Sequence, residues 1–176
     1  GSVTAESGDV ITGLGHHRRA HAMLVALYGE DSPNVIGDLY NVVQDLVLLR
    51  RFDEAATEVE RLCAHAEHNR EATPRAWVQC LEQRTLVALG RGDEAQAVSH
   101  AEAAAAAGAA LYGPNHPETA SIIHNLGQAL IIAGERRRGC EQVRRAVAIW
   151  RESLDEDHRS IRDSLATIAR DCSDAG

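Results

Sequence analysis

The segment Leu111-Tyr112-Gly113-Pro114-Asn115-His116-Pro117-Glu118-Thr119-Ala120 recurs along the chain at a fixed distance. Its first half returns upstream as Leu27-Tyr28-Gly29-Glu30-Asp31-Ser32-Pro33-Asn34, which places Pro33 and Pro117 84 residues apart. His158, in Asp155-Glu156-Asp157-His158-Arg159-Ser160, follows His116 by 42. A period near 42 in a helix-rich sequence constrains the fold more than any other feature here. It calls for stacked copies of one supersecondary unit, none of which buries enough apolar surface alone.

Composition settles what the unit is made of. Hydrophobic residues make up 44% of the 176, and aromatics only 3%. Alanine, with 29 occurrences, is the commonest residue and the strongest helix former, and its small side chain lets helices pack closely. The expectation is an all-α fold. All 18 basic residues are arginine, a bias that suits a GC-rich genome. The net charge of -8 argues against general nucleic-acid binding, which depends on neutralising phosphates. No run reaches the roughly 18 to 20 apolar residues that span a membrane. Gly1-Ser2 reads as an expression scar.

Caps and apolar spacing set the expected elements. Residues 1–14 read as tag remnant and irregular N-terminus, because Gly8 and Gly13 weaken a helix there. A first helix is expected over 15–28, ended by Gly29 in a left-handed cap. Ser32-Pro33, Thr73-Pro74 and Pro117 open helices reaching about Leu49, Leu89 and Gly134. Asp53, Asp93 and Arg136 open their partners, and a last helix runs from His158 to Arg170. This makes eight helices: one leading, three hairpins and one trailing. The Ala103–Ala107 run predicts close helix approach. Residues 172–176 are expected to fray, leaving 15–171 as the repeat domain.

The hairpin turns carry a common signature. The first reads Leu46-x-x-x-Arg50-x-x-Asp53-Glu54-Ala55, and the second Leu86-x-x-x-Gly90-x-x-Asp93-Glu94-Ala95. The third reads Leu130-x-x-x-Gly134, with Gly139 in place of the alanine. A small residue five positions past the turn lets the second helix cross the first closely. Val43 and Gly127 stand seven positions before it.

These features resemble the tetratricopeptide repeat. The 42-residue period and the Tyr-Gly-x-x-His-Pro-x-Thr-Ala linker are similar to the kinesin-light-chain type, which also occurs in bacterial signalling and regulatory proteins. The resemblance covers about 28–170 and is strongest at Leu126-Gly127, Gly134 and Gly139. It departs most in the second repeat, which lacks the linker motif. It implies a right-handed α-solenoid of about three repeats plus a flanking helix at each end. It further implies a non-catalytic module holding a protein or extended peptide in its concave groove; the half-repeats at both ends suggest part of a larger bacterial regulator or scaffold, and four unpaired thiols with no visible signal peptide suggest the cytoplasm.

Aligning first helices by their turns brings Tyr40 with His124, Asn41 with Asn125, and Gln44 with Gln128 into register. The offsets place the three on one helical face, away from Leu39, Val42 and Leu46. In the family this asparagine place hydrogen-bonds the backbone of a bound peptide. An amide supplies both donor and acceptor for an extended chain. The competing reading is that Asn41 and Asn125 satisfy backbone groups between helices. In the second repeat Trp77 reads as an anchor or a core residue, and Arg84 as a carboxylate clamp.

No cofactor, metal or catalytic residue is expected. His17 and His21, and His65 and His68, have helical spacing but no evident further ligands, and His116 and His158 read as helix caps. Cys63, Cys80, Cys140 and Cys172 form no Cys-x-x-Cys pair and are expected to be reduced and mostly buried. Carboxylates such as Asp53-Glu54 suit helix starts, whereas Arg136-Arg137-Arg138 at such a place reads as a contact for an acidic partner or a solvated turn. The alternative function is homo-oligomerisation, as a homodimer, through terminal apolar surfaces, including Ile161, Leu165 and Ile168 of the trailing helix.

Overall fold

The computed structural model describes residues 2–172, with side chains from Asp9 onward. Eight α-helices and one 3-10 turn lie among the described residues. The chain forms two compact units, Gly1–Asp93 and Glu94–Gly176.

The first unit holds α1 (Ser2–Tyr28), a 3-10 turn (Pro33–Val35), α2 (Ile36–Leu48), α3 (Phe52–His68) and α4 (Pro74–Arg91). Each helix packs on the next, and α4 also reaches α2. Leu39, Val42, Val43 and Leu46 of α2 form its core with Ala55, Val59 and Leu62 of α3 and Leu14 of α1. A fully buried leucine contributes about 1.5–3 kcal/mol, so this seam outweighs any local propensity. That explains why α1 runs through Gly8, Gly13 and Gly15, where an irregular segment was expected. Glycine costs about 1 kcal/mol per helical position, and burial of Leu14 against α2 offsets it.

The second unit holds α5 (Glu94–Tyr112), α6 (Pro117–Ile132), α7 (Arg136–Arg151) and α8 (Arg159–Asp171), again packed in sequence. Ala120 and Ile123 of α6, Ala146, Val147 and Trp150 of α7, and Ile161 of α8 make its core. The second expected hairpin thus straddles the boundary, with α4 in one unit and α5 in the other. The trailing helix turns its apolar stripe inward: Ile161 is fully buried and Ile168 packs on the core. It is not the free apolar surface the sequence suggested; Leu165 alone of the three stays exposed.

The repeat is stricter than the sequence suggested. The left-handed turn residues are Arg50 (φ 56°), Gly92 (φ 77°) and Gly134 (φ 81°), each 42 after the last. Gly90, expected at the second turn, is still helical in α4, and its missing Cβ makes room for the Phe52 ring, which a Cβ would meet at 2.2 Å. The register of the second repeat therefore shifts by two residues. Its crossing residue becomes Ala97, which is buried, in place of Ala95, which is exposed. Ala55, Ala97 and Gly139 then share one position. In the second unit Gly139 meets Gly127 backbone to backbone; a Cβ on Gly139 would lie 2.6 Å from the Gly127 carbonyl oxygen. Close approach of α5 and α6 falls at Gly108, where a Cβ would meet Ile122 at 2.4 Å, just past the alanine run.

Three helix starts are capped as expected, but Thr73 makes no side-chain cap bond, its hydroxyl donating back to the Asn69 carbonyl, and α3 starts at Phe52 with Asp53 already inside it. Ser32 Oγ, His116 Nδ1 and His158 Nδ1 accept from the backbone N–H two residues on, at Asn34, Glu118 and Ser160. The linker motif closes on itself: Thr119 Oγ1 donates to the Gly113 carbonyl at 2.7 Å, and Tyr112 stacks on His116.

The cysteines depart from expectation. All four are paired, Cys63 with Cys80 and Cys140 with Cys172, at Cα separations of 5.2 and 5.7 Å. Sequence distance hid this because helix packing sets the pairing. Cys63 of α3 faces Cys80 of α4, and Cys140 of α7 faces the C-cap residue of α8. Cross-links of this kind typically stabilise by about 2–4 kcal/mol.

Candidate functional site

The polar strip on the first helices is present in both units. On α2, Gln44 Nε2 donates to Tyr40 Oη at 2.9 Å. On α6, Gln128 Nε2 donates to His124 Nε2 at 2.8 Å. Residues 84 apart thus make the same i, i+4 bond. Each strip also has a second bond to the next first helix. Gln83 of α4 donates to Tyr40, and His124 Nδ1 lies 2.8 Å from Ser164 Oγ of α8. With Nε2 accepting from Gln128, the neutral His124 ring carries its proton on Nδ1 and donates it to Ser164. Burial against Trp150 holds His124 below the ordinary histidine pKa, keeping it neutral. Burial likewise raises the Tyr40 phenol.

Asn41 is half-buried, and Gln44, Asn125 and Gln128 are exposed. The Asn41 side chain makes no hydrogen bond among the described residues. The corrected register puts Gln83 at the Asn41 and Asn125 position. Gln83 is 2% exposed, and its Oε1 lacks a partner. The sequence reading missed it because alignment on Gly90 assigned that place to Leu81.

One exposed feature of the strip escaped the sequence reading. Leu48 and Ile132 end the strip and are exposed at 67% and 55%. They too stand 84 apart, one turn beyond Gln44 and Gln128. The signal was available as apolar residues off the core stripe. Beside Ile132, a cleft of about 320 Å³ between α6 and α8 is lined by Gln128, Ile131, Ile132, Thr167, Arg170 and Asp171.

Trp77 and Arg84 are placed differently. Trp77 packs partly against the first unit's core, with the Arg70 guanidinium 4.9 Å above its ring. Arg84 forms a two-pronged pair with Glu60 of α3, at 3.1 and 2.5 Å. In the corrected register it stands with Val42 and Leu126, off the amide strip.

The histidines of the first unit are engaged within the fold. His17 Nδ1 meets Asp45 at 2.7 Å, and His21 lies beside Arg61. Among the described residues no three metal-ligating side chains cluster. In the arginine run, Arg138 pairs with Glu102 and Glu135, and Arg136 donates to the Asp171 carbonyl.

A tetratricopeptide-repeat family model matches residues 119–160, one full period. No curated protein sequence matches the chain. Among solved structures, a Podosopora anserina kinesin-light-chain candidate with nearly identical TPR-like repeats superposes with a TM-score of 0.77. A substituted variant of that same protein gives 0.78. In each case identity is 18%, with 94% of this chain and 78% of that one covered. The likeness shows the fold, an all-α helical-repeat solenoid. Tetratricopeptide repeats are in general non-catalytic protein-interaction modules. No helix among the described residues is long and apolar enough to cross a membrane.

Proposed function

We propose that this chain is a non-catalytic module whose two units each hold an extended peptide segment of a partner protein, on the exposed face of α2 in the first and of α6 in the second. The observation that carries the reading is the repeated trio Asn41-Gln44-Leu48 and Asn125-Gln128-Ile132, 84 residues apart. The amides suit the unpaired N–H and C=O groups of an extended backbone, and the apolar residue suits a side chain of the same segment. Tyr40 and His124 fix the rotamers of Gln44 and Gln128, which lowers the ordering cost of binding. Trp77, partly buried on the first unit's core, and Arg84, bonded to Glu60, are left outside this strip and are the less direct candidates for contact with the segment.

A role in a bacterial regulator or scaffold remains part of this reading. The paired cysteines support a compartment where disulfides persist, in place of the cytoplasm expected from four thiols. The test is an affinity capture from source-organism extract with wild type and an Asn41→Ala/Asn125→Ala variant of unchanged helicity. A partner kept by wild type and lost by the variant supports the reading. A partner held equally by both moves the site off this face.

Self-association is the second reading. It is favoured by Ile11, Met23, Leu27 and Tyr28, all on α1 and more than half exposed. Mass measured in solution over a dilution series tests it, and a strict monomer at high concentration ends it.

A further inference from the structure

We propose that the Cys140–Cys172 disulfide is a reducible latch that holds the end of α8 and thereby sets the cleft between α6 and α8. The latch does not rest on the peptide reading above.

The two ends of α8 are held by different means. Its start is anchored by Ile161, fully buried among Ala146, Val147 and Trp150, and by the Ser164–His124 bond. Its end is held from α7 by three residues spaced four apart. Cys140 supplies the disulfide to Cys172. Arg136 Nε and Nη2 donate to the Asp171 carbonyl at 3.1 and 2.7 Å, and Arg144 Nη2 donates to the Cys172 carbonyl at 3.4 Å. Those carbonyls are among the ones an α-helix leaves unpaired at its C-terminus. Thr167, Arg170 and Asp171 of the same end form one wall of the cleft.

The arginines also make this disulfide chemically distinct. A thiolate next to guanidinium groups is stabilised, and a stabilised thiolate leaves faster in thiol–disulfide exchange. Fraying of the last turn of α8 brings Cys172 to solvent. The thiolate of a small dithiol then attacks Cys172 Sγ and forms a mixed disulfide. The Sγ–Sγ bond breaks, and its electron pair leaves on Cys140 Sγ, between Arg136 and Arg144. The second thiol of the reagent displaces Cys172, which takes up a proton. The reagent ends as its disulfide, having given up two electrons and two protons; the second proton goes to solvent. Cys63–Cys80 differs on both counts: Arg84, one turn from Cys80, has its charge met by the Glu60 carboxylate, whereas Arg136 and Arg144, among the described residues, bond only carbonyls. All four cysteines are buried in the folded state, but Cys63 and Cys80 both sit inside helices, in an apolar cluster with Val59, Leu62, Ala66 and Ala76, whereas Cys172 is the C-cap of α8.

The test uses the oxidised full chain treated with graded dithiothreitol, alkylated and mapped by mass spectrometry. Amide hydrogen exchange is followed in parallel. Cys140–Cys172 is expected to open at least tenfold faster than Cys63–Cys80. Amides of 162–171 should then exchange at least tenfold faster, with α6 still protected. In a Cys172→Ser variant, Cys140 should react with iodoacetamide with a midpoint below the free-cysteine value of about 8.5. Reduction of Cys63–Cys80 first, reduction of both only with unfolding, or unchanged protection of α8 each overturns the latch. These readouts involve no peptide, so failure of the peptide reading leaves them intact.

Discussion

Replacing Gly139 by alanine tests the packing on which the second unit rests. Its Cβ would stand 2.6 Å from the Gly127 carbonyl oxygen, 2.7 Å from Ile131 Cγ1 and 3.0 Å from the Ile131 amide nitrogen. Two of these atoms are backbone of α6, so no rotamer change relieves the contact. The helices must separate by about 0.5–1 Å, and a gap of that size forfeits a quarter to a half of each dispersion contact along the seam. Overpacking of this kind costs about 1–3 kcal/mol. Against it stands the helix propensity of alanine, which returns up to about 1 kcal/mol. The expected result is a net loss of about 1–2 kcal/mol. Urea unfolding followed by Trp150 fluorescence, in a Trp77→Phe background, reads the second unit alone. Gly15→Ala is the control: nothing lies within 4 Å of its Cβ, so it should gain up to about 1 kcal/mol, followed by Trp77 fluorescence in a Trp150→Phe background. A Gly139→Ala protein as stable as its parent, with the control behaving as stated, would refute the close crossing.

Acidification from pH 7.5 to 5.5 should lower stability. His124 and His65 titrate below their ordinary value of 6.5 because burial disfavours the charged ring. The unfolded chain therefore binds more protons as pH falls through 6.5, and stability is lost in that window. Urea midpoints at several pH values check this, and His124→Gln should flatten the second unit's share. Arg50→Gly should stabilise the first unit by about 0.5–1 kcal/mol, since Arg50 is the one described non-glycine residue with positive φ; a lower melting temperature would contradict it. Thr119→Val should cost about 1–2 kcal/mol, because it leaves the buried Gly108 and half-buried Gly113 carbonyls short of a donor. Thermal unfolding monitored by circular dichroism measures that loss.

What was legible in the sequence was local. Ser32, His116 and His158 cap helices by bonding two residues ahead, and such geometry follows from spacing alone. The amide strip was legible for the same reason, because 84 residues separate identical types at identical helical offsets. The second repeat was misread because two glycines two residues apart both looked like turns. Only the backbone conformation separates Gly92, which turns, from Gly90, which makes room for Phe52. The disulfides were invisible because pairing depends on which helices lie side by side. The helix through Gly13 and Gly15 was missed because propensity is a weak guide where a residue such as Leu14 is buried. The exposure of Leu48 and Ile132 was legible in principle, since both fall off the core stripe at the offset that continues the amide strip.

The central claim is that a peptide lies on the repeated amide strip. At 19.0 kDa the chain suits side-chain amide spectroscopy. A peptide selected on the oxidised protein from a random display library would be titrated into ¹⁵N-labelled protein. The account predicts saturable shifts of the Asn41, Gln44, Asn125 and Gln128 side-chain amides, and at least a tenfold weaker Kd for the Asn41→Ala/Asn125→Ala variant. Tight binding that leaves those four amides unmoved, with the variant binding as well as wild type, would contradict it.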